Sequence, residues 1–288
     1  MHRTRTEEIA MRPFFPILLA FELAACAAPT PVAPAFADCG DIESLQRKVQ
    51  AGDVRALTDL GVCYHAGDGV ARDERHAVEL YRQAAEQGDA VAQRNLGFMY
   101  ETGRGGLPKD ERRAAELYRQ AAEQGDALAQ RNLGFMYAAG RGGLPKDERR
   151  AVELYRQAVK QGDATAQSEL GAMYAEGLGG LPKDERRAVE LWRLSAEQGS
   201  AMGQCNLGVM YEKGKGGLPK DEQRAVELFR LSVEQGVGAC QSNLGLMYYR
   251  GAGGLPQSKE KAVELWRKAA ARGDEDAKEN LRKYGGED

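Results

Sequence analysis

The chain holds little from which a reaction centre could be assembled. Its 288 residues include three histidines, His2, His65 and His76, too few and too scattered for an imidazole cluster that would bind a metal or shuttle protons. One Ser-x-x-Lys pattern exists, Ser258-Lys259-Glu260-Lys261. A serine nucleophile of the β-lactamase kind would also need Ser-Asp-Asn and Lys-Thr-Gly elements, and neither occurs. Ser258 stands where earlier segments place Asp, so a helix N-cap accounts for it. No G-x-x-x-x-G-K-[ST] or H-E-x-x-H pattern is found, and the Gly-x-Gly-Gly loops follow no strand, as a dinucleotide fingerprint requires. These absences point to a noncatalytic protein with no cofactor and no metal.

The five cysteines divide into two sets. Cys26 closes Leu23-Ala24-Ala25-Cys26, after the apolar run Pro13 to Phe21 that Arg12 precedes and Glu22 interrupts. Nine apolar residues cannot span a bilayer, which needs about 20, and the pattern reads as a secretory signal over residues 1–25. Leu-Ala-Ala-Cys resembles the lipobox of bacterial lipoproteins. The resemblance implies lipidation of Cys26, with the Ala/Pro-rich residues 26–38 as a tether between membrane and domain. Cleavage after Ala37 is the alternative, and Glu7 and Glu8, odd in a leader, make Met11 an alternative start to Met1. Cys39, Cys63, Cys205 and Cys240 form the second set. Four cysteines allow three disulfide connectivities, of which sequence proximity favours Cys39 with Cys63 and Cys205 with Cys240. Four small buried thiols are the competing reading.

Lys and Arg total 40 against 43 Asp and Glu, a net charge of −3, which argues against nucleic acid as the partner. The 35 glycines are the compositional anomaly, and a repeat explains them. Gly-Asp or a near equivalent opens at Gly52, Gly88, Gly125, Gly162, Gly199, Gly236 and Gly273, spaced 36 residues once and 37 thereafter. Six units result: 52–87, 88–124, 125–161, 162–198, 199–235 and 236–272. Residues 39–51 and 273–288 are expected to cap the array with one helix each.

Helical periodicity governs each unit. Counting the opening glycine as offset 0, Ala92, Leu96, Met99 and Tyr100 lie at offsets 4, 8, 11 and 12, one stripe of an amphipathic helix that Gly103 terminates. A recurrent aspartate (Asp110, Asp147, Asp184, Asp221) caps a second helix, which buries Ala114, Leu117, Tyr118 and Ala121. The aromatic column Tyr81, Tyr118, Tyr155, Trp192, Phe229 and Trp266 reads as core. Gly97 and its equivalents cost about 1 kcal/mol each inside a helix, so another helix must approach closely there. Helices of about 12 residues are marginal alone, and the hairpins must stack.

The pattern Ala-x-x-x-Leu-Gly-x-Met-Tyr, Gly-x-Gly, then Asp-x-x-x-Ala-x-x-Leu-aromatic-x-x-Ala-x-x-Gln-Gly resembles the Sel-one-like repeat (SLR) family, a relative of the tetratricopeptide repeat, from about Cys39 to Tyr284. The resemblance implies an all-α, right-handed α/α superhelix that binds a protein or peptide on its concave face. Because some cysteine-rich relatives are described as penicillin-binding or β-lactamase-like, an envelope enzyme is the rival reading, but a cysteine pair within each repeat is absent here.

On the first helix, offsets 3, 6, 10 and 13 lie opposite the buried stripe, the side that lines the groove in tetratricopeptide relatives. Offset 10 carries Val62, Phe98, Phe135, Ala172, Val209 and Leu246, apolar residues expected to be uncovered. Offset 7 carries Asp59, Asn95, Asn132, Glu169, Asn206 and Asn243, and amides at this spacing can bond an extended peptide backbone. Arg94 and Arg131 stand beside two of them. One reading makes Arg94, Asn95, Phe98, Arg131, Asn132 and Phe135 a pocket for a carboxylate group, so that replacing both arginines weakens binding without unfolding the chain. The other has these residues bridge and pack adjacent units. The function expected is a noncatalytic interaction scaffold or regulator of the bacterial cell envelope, or a secreted host-interacting factor.

Overall fold

A computed structural model describes residues 39–286, and every regular element among them is an α-helix. The expectations for Cys26, residues 1–38 and the start codon lie outside the described residues. Helix α1 (Ile42–Gln50) precedes six hairpins: α2 (Val54–Ala66) with α3 (Glu74–Glu86), α4 (Ala90–Thr102) with α5 (Glu111–Glu123), α6 (Ala127–Ala139) with α7 (Glu148–Lys160), α8 (Ala164–Glu176) with α9 (Glu185–Glu197), α10 (Ala201–Lys213) with α11 (Glu222–Glu234), and α12 (Gly238–Arg250) with α13 (Lys259–Ala270). Helix α14 (Glu275–Tyr284) follows. Among the described residues no helix is long and apolar enough to cross a membrane.

Local chemistry sets where each helix starts and stops. At α7, Asp147 Oδ1 accepts the Arg150 amide at 3.0 Å, satisfying a donor that no helical carbonyl can reach. At the far end of α6, Gly140 takes φ 66°, a left-handed turn that a side chain would disfavour, and closes the helix. The second helices keep one apolar stripe inward and a charged face outward. The first helices are covered on nearly all sides: in α4, Ala92 through Tyr100 are all buried.

Packing within a hairpin turns on the glycine in the middle of the first helix. A Cβ at Gly134 would lie 2.9 Å from Tyr155 Cε1, inside van der Waals contact. The same contact recurs from Gly61 against Tyr81 to Gly245 against Trp266. The rings therefore rest on bare backbone, and Tyr118, Tyr155, Trp192, Phe229 and Trp266 have no exposed surface. Three of these rings use their polar atoms: Trp192 and Trp266 Nε1 donate to the Ser168 and Ser242 carbonyls, at 3.0 and 3.1 Å, and Tyr118 OH donates to Glu101 Oε2 at 2.8 Å. Half-buried Tyr64, Tyr174, Tyr211 and Tyr248 each touch two successive apolar clusters, so the core runs through the array without a break.

Helix α14 departs from this pattern at the same position, where Arg282 replaces the glycine. Only Ala277 of α14 is fully buried, the polar outer surface a terminal repeat needs. Adding a methyl at Gly134 gains about 1 kcal/mol of helix propensity but overpacks against Tyr155 by up to about 3 kcal/mol. Gly134→Ala is therefore expected to lower stability in urea denaturation, whereas Arg282→Ala should be silent. Equal, small effects at both sites would show that the ring contact does not restrict the position.

Candidate partner-binding surface

The carboxylate expected to meet Arg94 and Arg131 exists, and the protein supplies it. Arg94 is 4% exposed; its Nη1 donates to Asp126 Oδ2 at 2.9 Å, while Nε and Nη2 donate to Asn95 Oδ1. Asp126 is the N-cap of the next unit's first helix, and its other oxygen accepts the Ala129 amide at 2.7 Å. Arg131 repeats the arrangement with Asp163, at 3.3 Å, and with Asn132 Oδ1. Thr58 Oγ1 likewise donates to Asp89 at 3.0 Å. Offset 6 of one unit thus latches offset 1 of the next, and the pocket in which Arg94 would greet a ligand is filled by Asp126.

Two junctions lack an aspartate. Ser200 replaces it before α10, and Ser168 Oγ opposite is buried with no hydrogen-bond partner. Val237 replaces it before α12, which has no side-chain cap at all. There the offset-6 residue is Cys205, disulfide-bonded to Cys240 with the Cα atoms 5.9 Å apart. The second disulfide, Cys39 to Cys63 (Cα–Cα 5.6 Å), ties the segment before α1 to α2.

The expectation that offset 10 stands uncovered is corrected. Val62, Phe98, Ala172, Val209 and Leu246 are all buried; α8 and α10 come into direct contact, with Ala172 and Ala175 in one apolar cluster with Leu207 and Met210. Asn95, Asn206 and Asn243 are 2%, 1% and 7% exposed, too covered to present their amides along a peptide. One helix differs. On α6, Leu128, Arg131, Asn132 and Phe135 are all half-buried. They occupy positions i, i+3, i+4 and i+7, a single face, and in the six units no other first helix has all four of these positions accessible.

Loop cations, which the sequence did not single out, border this face. Arg141 lies over the Phe135 ring, 5.6 Å from its centroid, and donates to Glu111 at 2.7 Å. Arg104 lies over Phe98 in the same way, at 5.9 Å, and pairs with Glu74. The Arg141 hydrogen bond, aided by Lys109 and opposed by burial, holds the Glu111 carboxyl at a pKa of about 2. His65 packs edge-on to Phe98, 6.2 Å between centroids, with its pKa lowered by burial and by Arg104.

The Ser-x-x-Lys element is a cap. Ser258 Oγ accepts the Lys261 amide at 3.2 Å, and the Lys261 ammonium rests over Tyr248, 5.2 Å from the ring centroid. Among the described residues no group of three or more His, Cys, Asp or Glu is arranged to hold a metal ion.

Stacked hairpins of this length and register define an all-α repeat solenoid. The Sel1 repeat model matches residues 54–89, 90–126, 127–163, 164–200, 201–237 and 238–274, and the chain belongs to the Sel1 repeat family. Among solved structures it is similar to a protective antigen present in uropathogenic Escherichia coli strains that displays an SLR fold, with 36% identity over 86% of this chain and a TM-score of 0.65. The chain spans about half of that protein, 53% of its length. It is also similar to a Sel1 repeat protein from Oxalobacter formigenes, with 31% identity, coverage of 80% of this chain and 96% of that one, and a TM-score of 0.68. No curated protein sequence matches.

Breaking a buried ion pair by removing one partner costs about 3–5 kcal/mol. Arg94→Ala should therefore destabilise the fold in chemical denaturation, and Arg131→Ala, whose side chain is 18% exposed, should do so less. Wild-type stability in both variants would restore the ligand-facing reading of these arginines.

Acid provides a second test. The folded pKa of Glu111 is depressed from 4.5 to about 2, so its contribution is complete above the higher value and is lost as pH falls through the lower one. Thermal melts should show Glu111→Gln below wild type near neutral pH, the gap closing as pH approaches 2. A gap that persists in acid would exclude the Arg141 bond as its source.

Proposed function

We propose that this protein is a noncatalytic binding scaffold of the bacterial cell envelope that holds a peptide segment of a partner protein on the groove face of α6. Sel1 repeat proteins are generally protein-interaction scaffolds. The observation that carries the assignment to α6 is its accessible face: Leu128 and Phe135 offer apolar surface at either end, and half-buried Asn132 lies between them. Arg141 braces the Phe135 ring from one side, which fixes an aromatic anchor before the partner arrives and reduces the ordering cost of binding. In the other units the equivalent positions serve the scaffold.

Placement in the envelope rests on Leu23-Ala24-Ala25-Cys26 and on the two disulfides, which suit an oxidising compartment. Lipidation of Cys26 would leave the array on a short Ala/Pro tether; cleavage after Ala37 would release it.

A photoreactive phenylalanine analogue placed at 135, and at Gln157 on the exposed face of α7 as control, tests the assignment in envelope extracts. Position 135 should capture a protein adduct that Leu128→Ala diminishes about tenfold or more, as expected for loss of an apolar anchor. Capture from 157 alone, or adducts indifferent to Leu128, would remove the groove face from the proposal. Hydrolysis of a chromogenic β-lactam abolished by Ser258→Ala would overturn the noncatalytic reading.

A further inference from the structure

A second surface lies on the loop edge of the solenoid, away from the α6 face. Arg75, Arg112, Arg149 and Arg186 occupy the same position in the second helices of four consecutive units, and all four are exposed. Each reaches the loop of the following unit: a Cβ added at Gly106, Gly143, Gly180 or Gly217 would meet the Nε of Arg75, Arg112, Arg149 or Arg186 at 3.2, 3.1, 3.5 and 3.7 Å. The four guanidiniums therefore sit in matching geometry along one edge. Gln223 takes the position in the fifth unit, against Gly254, and Glu260 in the sixth, so the row ends after four.

None of the four guanidiniums has an ion-pair partner among the described residues. The reason is visible in the residue just before each. Glu74, Glu111 and Glu185 are held by the next unit's Arg104, Arg141 and Lys215, and Glu148 by Lys146 and the Gly179 amide. The preceding carboxylate in every unit is thus committed to joining units, and the neighbouring arginine makes no ion pair with it. Lys183, on the same edge, also lacks an ion partner, while Lys109 and Lys146 pair locally with Glu111 and Glu148.

We propose that this row docks an extended acidic segment of a partner protein, one carboxylate per unit. Successive units are about 10 Å apart at the spacing of packed helices, and a chain extended in the polyproline II form advances about 3.1 Å per residue with three residues per turn, so that every third side chain faces the same way. Acidic residues at every third position would then meet successive guanidiniums, each able to bind a carboxylate through two parallel N–H donors. Four units span a segment of about ten residues by the same arithmetic. A nucleic-acid duplex fits less well, because each strand carries one phosphate per about 3.4 Å of helix axis, placing most phosphates between cations.

The probe is a fluorescein-labelled ten-residue peptide with Glu at every third position and Ser or Thr between. Its controls are an isomer with the same glutamates clustered at one end, the Gln-for-Glu peptide, and a double-stranded oligonucleotide. Anisotropy at low ionic strength should show binding of the spaced peptide that weakens about tenfold or more in the fourfold Arg→Gln variant and is only partly restored in the fourfold Arg→Lys variant, which keeps the charge but not the paired donors. Removing two exposed arginines elsewhere, Arg119→Gln with Arg156→Gln, should leave it unchanged, and circular dichroism should show all variants folded. Equal binding of spaced and clustered isomers, equal loss in the Arg119 and Arg156 variant, or tighter Arg-dependent binding of the oligonucleotide would each overturn the proposal. Because these residues lie off α6, failure here leaves the groove proposal standing, and the reverse holds.

Discussion

The carboxylate at the start of α4, α6 and α8 does two jobs, and the joints between the first four units depend on it. Asp126 caps α6 through the Ala129 amide and holds Arg94 of the preceding unit through its second oxygen. A helix start is the one place where a carboxylate is favoured by unpaired amides and by the helix dipole together. Adding a buried cation from the previous unit turns a local cap into a joint between hairpins that could not stand alone. The cost is functional: an arginine committed to the joint is not available to a partner, and so the groove's contact residues must come from a unit where the fit is looser.

That looseness occurs at α6 and has a physical source. Units two and three share Arg-Asn-Leu-Gly-Phe, yet Phe98 is 4% exposed and Phe135 is half-buried. Phe98 has His65 on one side and, in the following unit, another phenylalanine at the same offset. Phe135 is followed at that offset by Ala172, which fills less space. Helices α8 and α10 are in direct contact, and Ala172 is buried in the cluster they share.

Most of the scaffold was legible in the residues. The period, helix pairs, Asp110-type caps, mid-helix glycines and buried aromatic column all follow from local spacing, and the structure has each of them. That Phe98 packs between units was one of the two readings the residues offered, but the carboxylate that holds Arg94 was not legible, because a helical wheel describes one helix while the partners come from other units. An arginine on an outward phase looks the same whether its carboxylate is a ligand or Asp126, 32 residues on. A signal was nevertheless present: the aspartate after the opening glycine recurs at Asp89, Asp126 and Asp163, becomes Ser200, then Val237, and Cys205 appears at offset 6 in the unit just before Val237. Exchange of an ionic joint for a covalent one can be read from those substitutions once the joint is known.

The joint is tested most directly at the place where it has been exchanged. Amide hydrogen exchange compared between the native protein and a Cys205→Ser, Cys240→Ser variant, with Cys39–Cys63 left intact, reports the protection of each helix separately. The account predicts that α12, which has no cap of its own and no aspartate latch, loses protection together with the adjoining part of α10, while α4, α6 and α8 keep theirs. Unchanged protection in α12, or loss spread evenly along the array, would contradict the claim that each junction is held by its own latch.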